Sequence, residues 1–423
     1  MSNTRPRVVI SNGYSQFHMA HLAAELHATR TLAGLITGGY PRANEPRRRW
    51  SRSALYRRFH ARRVPIPPSM VWSIWSGETL YHASQLLWRL RTAGIAQSAV
   101  ARASLVRYQR VAARLLTQQM PREANLYHYR SGFGGASVQV ARDLGMKVVC
   151  DHSIVHPSML EALLQNGGRI AARVDRGAMS SFWRTVEQDL SLADVILVNS
   201  HFVEDTFLRC GFARERTRVI YLGPDQAFLN ELGRLPANRA SGGPAQSPLR
   251  VLSAGTMEAR KGTHILAAAL GNISKTGLDV HIVGNWHRRL PEHRRRLEPL
   301  AHVRLSPSLD RAQLAQVMAD ADVFVLPTLA EGSARVVFEA MAAGCYIITT
   351  PNAGSIVRDG VHGRLIQPGS VTDLCSAIEE ARDDLVRVRE IGCANALAVQ
   401  AEYGPARYGK RVTGLYQSLL ADG

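Results

Sequence analysis

Cysteine is scarce and oddly numbered: Cys150, Cys210, Cys345, Cys375 and Cys393 are the only five in 423 residues, and no two stand close together. That pattern excludes a zinc knuckle and a paired redox motif, and an odd count argues against a disulfide framework. A reducing cytosol is the expected compartment. Acidic residues are also short, 34 Asp and Glu against 52 Lys and Arg, for a formal charge of +18. Such a field concentrates anions, whether nucleic acid, acidic lipid head groups or phosphate-bearing substrates, without choosing among them. No uninterrupted apolar run approaches the ~18 residues of a membrane-spanning helix. The basic start leads straight into Val8-Val9-Ile10 without a signal-peptide core. The chain is therefore expected to be cytoplasmic, either soluble or peripheral on a membrane. Short repeats and low-complexity tracts are missing as well. The remaining mixture, 46% hydrophobic and 20% charged, is that of a globular protein. Its length predicts two or three domains.

What is present is a rhythm. Short β-branched runs are each followed by a stretch with helical spacing of apolar residues, as in RVVISNGYSQFHMAHLAAELHATR, ADVILVNSHFVEDTFLRCG and LRVLSAGTMEARKGTHILAAAL. Strands alternating with helices imply an α/β fold with parallel sheets covered on both faces. The rhythm breaks twice. Residues 233–249, rich in Pro, Gly, Ala and Ser, read as a linker between two domains. Residues about 41–120 form a basic, partly helical insertion. It opens with Arg47, Arg48, Arg49, Arg52, Arg57, Arg58, Arg62 and Arg63, continues through Trp72 and Trp75, and reads as helix from about Leu80 to Leu116.

The most informative stretch is LPTLAEGSARVVFEAMAAGCYIITT. A buried strand ends at Pro327, a loop carries Glu331, and a helix is expected from about Ser333 with Glu339 inside it. Eight residues of helix span about 12 Å, too far for two carboxylates to act as an acid/base pair on one bond. Two carboxylates at that separation suit the opposite ends of one long ligand. Between them the helix start, around Gly332, Ser333 and Ala334, offers free N–H groups to a phosphate. A nucleotide-diphosphate sugar has that layout. Taken alone, such a pair reads first as Glu331 complementing the helix dipole and Glu339 as a solvated surface glutamate. A second feature adds weight: the strand RVLSAG ends at Gly255, and Arg260-Lys261-Gly262 leads into the next helix, so a lysine can place its charge against a diphosphate. Gly284 in HIVGN is a further glycine where a strand meets a loop.

Together these residues resemble the glycosyltransferase group 1 family (family 4), carried by Glu331-GSARVVF-Glu339, GTMEARKG, HIVGN, LPTLAEG and GVHGRLIQPGS, and in the first half by ADVILVNSHFVEDTFLRCGF and RVIYLGPD. The resemblance covers about Arg250 to Glu380 nearly throughout, while residues of about 40–120 carry no part of it. It implies the glycosyltransferase B architecture, two Rossmann-like domains with parallel sheets facing a central cleft. Residues 1–232 would form the acceptor-side domain and 250–400 the nucleotide-sugar-binding domain, with a last helix in 401–423 packing back on the first.

By position, the resemblance implies that Glu339 binds the ribose and Glu331 the hydroxyls of the transferred sugar. Lys261 would neutralise the leaving diphosphate, helped by the N–H groups of Gly332, Ser333 and Ala334. Gly13 would face the phosphates across the cleft, with Gly255, Arg260 and Gly284 completing the donor site. His152 would contact the donor sugar, Asp151 and His156 would be secondary, and His128 a weaker candidate still. Thr256 stands where relatives carry an arginine, a charge that Arg260 could replace. Arg335 replaces an apolar residue, and Ser355-Ile356 a proline-glutamate pair.

The implied reaction is a retaining, metal-independent hexosyl transfer from a UDP- or GDP-sugar, with no bound cofactor. The arginines from Arg47 to Arg63, with Trp72 and Trp75, fit either a solvated face or an anionic membrane surface. The second suits a lipid-linked acceptor in envelope or exopolysaccharide assembly. The rival readings are a sugar-nucleotide epimerase on a similar fold and, further off, a nucleic-acid binder, for which no recognised module is present.

Overall fold

The computed structural model describes residues 5–14, 17–41, 59–89, 94–170, 181–235, 247–287 and 290–421. Apolar runs too short for a helix, such as VVIS, VILV and VFVL, become strands buried on both faces, as parallel sheets sandwiched between helices require. Thirteen strands form two wholly parallel sheets among the described residues. The first has the order β3-β2-β1-β4-β5-β6-β7, from β1 (Val8–Ser11), β2 (Leu32–Thr37), β3 (Val71–Ser73), β4 (Leu126–Arg130), β5 (Lys147–His152), β6 (Val195–Val198) and β7 (Thr217–Val219). The second has the order β10-β9-β8-β11-β12-β13, from β8 (Leu249–Ala254), β9 (Leu278–Val283), β10 (Val303–Ser306), β11 (Val323–Leu326), β12 (Tyr346–Thr349) and β13 (Gly363–Leu365).

Strand order reverses direction between β1 and β4 in one sheet and between β8 and β11 in the other. In open parallel sheets such switch points, at the carboxyl ends of the strands, are where ligands bind. The helix Pro405–Ala421 lies against His18–Ala28, with Tyr408, Val412, Leu415 and Tyr416 packed on Met19, Leu22 and Leu26 in one core cluster. Most of the interdomain linker, residues 236–246, lies outside the described residues.

The basic insertion differs from its expected form. Arg47, Arg48, Arg49, Arg52, Arg57 and Arg58 lie outside the described residues. Arg62 points inward, donating to Glu78 at 2.7 Å and to the Gly39 carbonyl at 3.0 Å. Trp72 sits in the edge strand β3, paired with Ile36, and its ring fills the space over Gly34. It is a packing residue, hidden from sequence reasoning because a three-residue strand has too few positions to show a period. Trp75, 51% exposed, remains at the surface beside Phe59. Helices Trp75–Arg89 and Gly94–Gln118 make up most of the described remainder of the insertion. Among the described residues, no helix is long and apolar enough to cross a membrane.

Candidate active site

At the carboxyl end of β8, Gly255 adopts φ +139°, and a Cβ there would press on Lys261 Nζ. The lysine ammonium thus rests over the glycine, a position any side chain would deny it. Gly284, at the end of β9, lies against the Gly255 carbonyl and supports that turn from behind. Lys261 Nζ stands 3.6 Å from Glu331 Oε1, close enough for attraction and too far for a hydrogen bond.

Arg260 plays a different part from the one its position suggested. Its guanidinium donates to Glu331 Oε2 at 2.8 Å, to the Ala330 carbonyl at 2.8 Å and to Glu258 Oε1 at 2.7 Å. Burial works against its charge, but Glu331 and Glu258 outweigh it and raise its pKa. With its fork engaged inside the protein, Arg260 orients Glu331 instead of standing free for a phosphate.

The Glu331 loop leaves β11 at Pro327 and is pinned by Glu331 N–H donating to the Asn352 carbonyl at 3.0 Å. Ala334 N–H donates to Ala353 at 2.9 Å, and the helix starts at Arg335, two residues later than the sequence suggested. Ala334 therefore drops out as a phosphate donor. Gly332 and Ser333 keep N–H groups without a partner among the described residues. Three sealed side-chain atoms around them also lack a hydrogen-bond partner among the described residues: Glu331 Oε1, Ser333 Oγ and Asn199 Oδ1. Gly332 is glycine because a Cβ would collide with the Ser153 carbonyl and crowd Asn199. Its own carbonyl accepts from Ser200 Oγ at 2.5 Å. The exits of β5 and β6 thus close directly on the loop of the other sheet.

Glu339 is only 4% exposed, which removes the solvated-surface reading. Arg311 Nη1 donates to its Oε1 at 2.8 Å and also grips Asp225, which lies 3.7 Å from Arg335. Glu339 Oε2 accepts no protein hydrogen bond among the described residues. Burial raises the Glu339 pKa, with Arg311 opposing.

On the N-terminal side Asp151 is buried, with His18 Nε2 at 2.9 Å and His128 Nε2 at 3.7 Å. Burial favours its neutral form, but the two imidazoles prevail and hold the carboxyl well below the usual carboxylate range. His128 Nδ1 meets Tyr416 at 2.6 Å, tying the last helix into this network. His152 is 2% exposed, with Nδ1 2.8 Å from Ser131 Oγ, and burial lowers its pKa to about 4. It is a buried ring beside Phe207, neutral near neutral pH. His156 caps the helix Pro157–Gln165 and is fully buried between Phe207 and Phe212. Gly13 also departs from expectation: it is buried, its N–H donates to Tyr108 and Phe133 covers it, so it offers nothing to a phosphate.

Sequence reasoning missed Asn199, Ser200 and Ser153, which reach the donor loop, and Asp225 and Arg311, which hold Glu339. The Asn199-Ser200 pair after VILV carried a signal, since a strand exit followed by a helix cap sits on the ligand edge of a sheet. Arg311 carried none beyond its place next to the capping residue Asp310.

Residues 248–384 match the family model for glycosyl transferases group 1. Glycogen synthase of Mycobacterium tuberculosis is 31% identical over 147 residues, which make up 33% of this chain and 36% of that protein. The chain thus spans about a third of that relative's length. Among solved structures, sucrose-phosphate synthase from Thermosynechococcus elongatus covers 99% of this chain and 100% of its own, with TM-score 0.62 at 19% identity. Anabaena Alr3699/HepE in complex with UDP covers 97% and 99%, with TM-score 0.62 at 16% identity. The fold is that of two-domain glycosyltransferase B structures.

Proposed function

We propose that this chain is a retaining glycosyltransferase that moves a hexose from a UDP- or GDP-sugar to an acceptor hydroxyl. One observation carries the reading. Among the described residues, Glu331 Oε1, Ser333 Oγ and Asn199 Oδ1 are buried without hydrogen-bond partners, gathered around two unpaired N–H groups and beside Lys261. Buried polar groups are almost always hydrogen-bonded in a folded protein, so this cluster suits a polar ligand with hydroxyls and negative charge. The matched family model and the UDP complex of the Anabaena neighbour support a nucleotide sugar as that ligand.

On this reading a free oxygen of Glu339 takes a ribose hydroxyl, and Glu331, oriented by Arg260, takes hydroxyls of the sugar. Lys261 and the N–H groups of Gly332 and Ser333 stabilise the charge that develops on the diphosphate. The bond from the anomeric carbon to the diphosphate oxygen breaks. The acceptor oxygen bonds to that carbon on the same face, and the acceptor proton passes to the departing diphosphate. His152, neutral and buried, shapes the floor under the sugar. The acceptor belongs to the first sheet's side of the cleft, and we assign it to a lipid-linked or oligosaccharide glycan of envelope or exopolysaccharide assembly. The surface Trp75 favours work at the inner face of a membrane.

The test is thermal stabilisation by UDP, GDP, ADP and CMP. A ligand that binds only the folded state raises its stability by mass action. One nucleoside diphosphate is expected to stabilise selectively, and Lys261→Ala to weaken that response at least tenfold in ligand concentration. Silence toward all four nucleotides refutes the reading. Consumption of a nucleotide sugar to an isomer without acceptor would identify an epimerase instead.

A further inference from the structure

Among the described residues of this +18 chain, Arg130 is a half-buried cation that no carboxylate pairs with. Arg130 ends β4 at the switch point next to β1, on the same carboxyl edge whose β5 and β6 exits touch the Glu331 loop. Its guanidinium lies 3.9 Å above the Phe17 ring and 5.6 Å from that of Phe133. It makes no side-chain hydrogen bond or ion pair among the described residues. Its strand partner Asp151 is already bonded to His18 at 2.9 Å, with His128 Nε2 nearby at 3.7 Å. Burial lowers the pKa of Arg130, with Asp151 opposing from a distance.

A partly buried, unbonded guanidinium is costly, because water is removed and nothing replaces it. The aromatic setting recovers only part of that cost. A guanidinium is a planar fork matched to phosphate and carboxylate, and at this depth its five donors are left for a ligand.

We infer that Arg130 is the seat of an anionic group on the acceptor, a phosphate or carboxylate, lying against the Phe17 and Phe133 rings at the β1/β4 switch point. Assigning that group to the acceptor rests on the transferase reading; the anion site itself does not. The phosphate could belong to a soluble sugar phosphate or to a lipid head group.

The experiment holds the protein at saturating nucleoside diphosphate, so that Lys261 is occupied, and measures stabilisation by a hexose 6-phosphate and by the free hexose. Co-sedimentation with phosphatidylcholine vesicles, with and without phosphatidic acid, runs in parallel. Wild type, Arg130→Gln and Arg130→Lys are compared. The phosphate-bearing probe, soluble or vesicle-borne, should bind at least tenfold more weakly to Arg130→Gln, and Arg130→Lys should fall between. The free hexose should show no dependence on Arg130. Which probe responds identifies the source. Equal binding by wild type and Arg130→Gln, or no binding of either phosphate probe, overturns the inference. If Arg130→Gln does not fold, wild-type affinity in Arg130→Lys overturns it and a several-fold loss supports it. Loss of the nucleotide response with Arg130-dependent phosphate binding intact would overturn the transferase reading alone.

Discussion

Replacing Glu339 by Gln separates a ligand-binding carboxylate from a structural one. The substitution keeps volume and removes charge at a side chain 4% exposed. Its ionic partner Arg311 is 43% exposed and keeps Asp225, so the lost pair contributes about 1 kcal/mol or less to stability. Relief from burying a charge offsets part of that. The melting temperature without ligand should therefore move by no more than about 3 °C. Binding should respond far more strongly. A hydrogen bond from a ribose hydroxyl to an ionised carboxylate is worth about 1.5–3 kcal/mol, or roughly 10- to 150-fold in Kd. Calorimetric titration with the stabilising nucleoside diphosphate, beside a melt without ligand, reads both quantities.

The sign with pH follows from burial. Glu339 has a raised pKa, so it takes up its proton at a higher pH than an ordinary glutamate. The affinity of the wild type should weaken as pH falls from neutral, whereas the Gln variant should show no such slope. An unchanged Kd in Glu339→Gln would refute the ribose assignment. A large loss of unliganded stability would show that the carboxylate is held for the fold.

The neutral His152 has a folded pKa of about 4 against 6.5, so the unfolded chain binds the extra proton between them. Its contribution, at most about 3 kcal/mol, is present above pH 6.5 and lost as pH falls through about 4; denaturant midpoints of His152→Asn should show a flatter pH slope than wild type. Asp322, 5% exposed, accepts from Arg250 at 2.8 and 2.9 Å and from Arg389 at 3.2 Å, just before β11, at the amino ends of the strands and so away from the site at their carboxyl ends. Although burial raises it, the Arg250 contacts lower its pKa, so its contribution holds at neutral pH and is lost on acidification. Asp322→Asn should cost about 2 kcal/mol by urea unfolding at pH 7 and leave nucleotide affinity unchanged.

The alternation of β-branched runs and helical stretches was enough to read parallel sheets from the chain, because a strand buried on both faces must be apolar throughout and its crossover must be amphipathic. The spacing from Glu331 to Glu339, and the strand-end Gly255 with Lys261 beyond it, were legible for the same local reason, since a few residues of loop and helix determine where those side chains stand. The roles of Arg260, Gly13 and Ala334 were not legible. Each depends on a partner distant in sequence: Arg260 on Glu331, Gly13 on Tyr108 and Phe133, and Ala334 on Ala353. Asn199 and Ser200 meet Gly332 only because the two sheets face each other, and Arg130, beside an Asp151 already bonded to His18, has no ionic partner among the described residues. Local periodicity and glycine placement determined the elements and the donor loop. Tertiary structure decided which polar groups are used up within the protein, and so which are left for a ligand, because hydrogen-bond satisfaction is a property of neighbours in space.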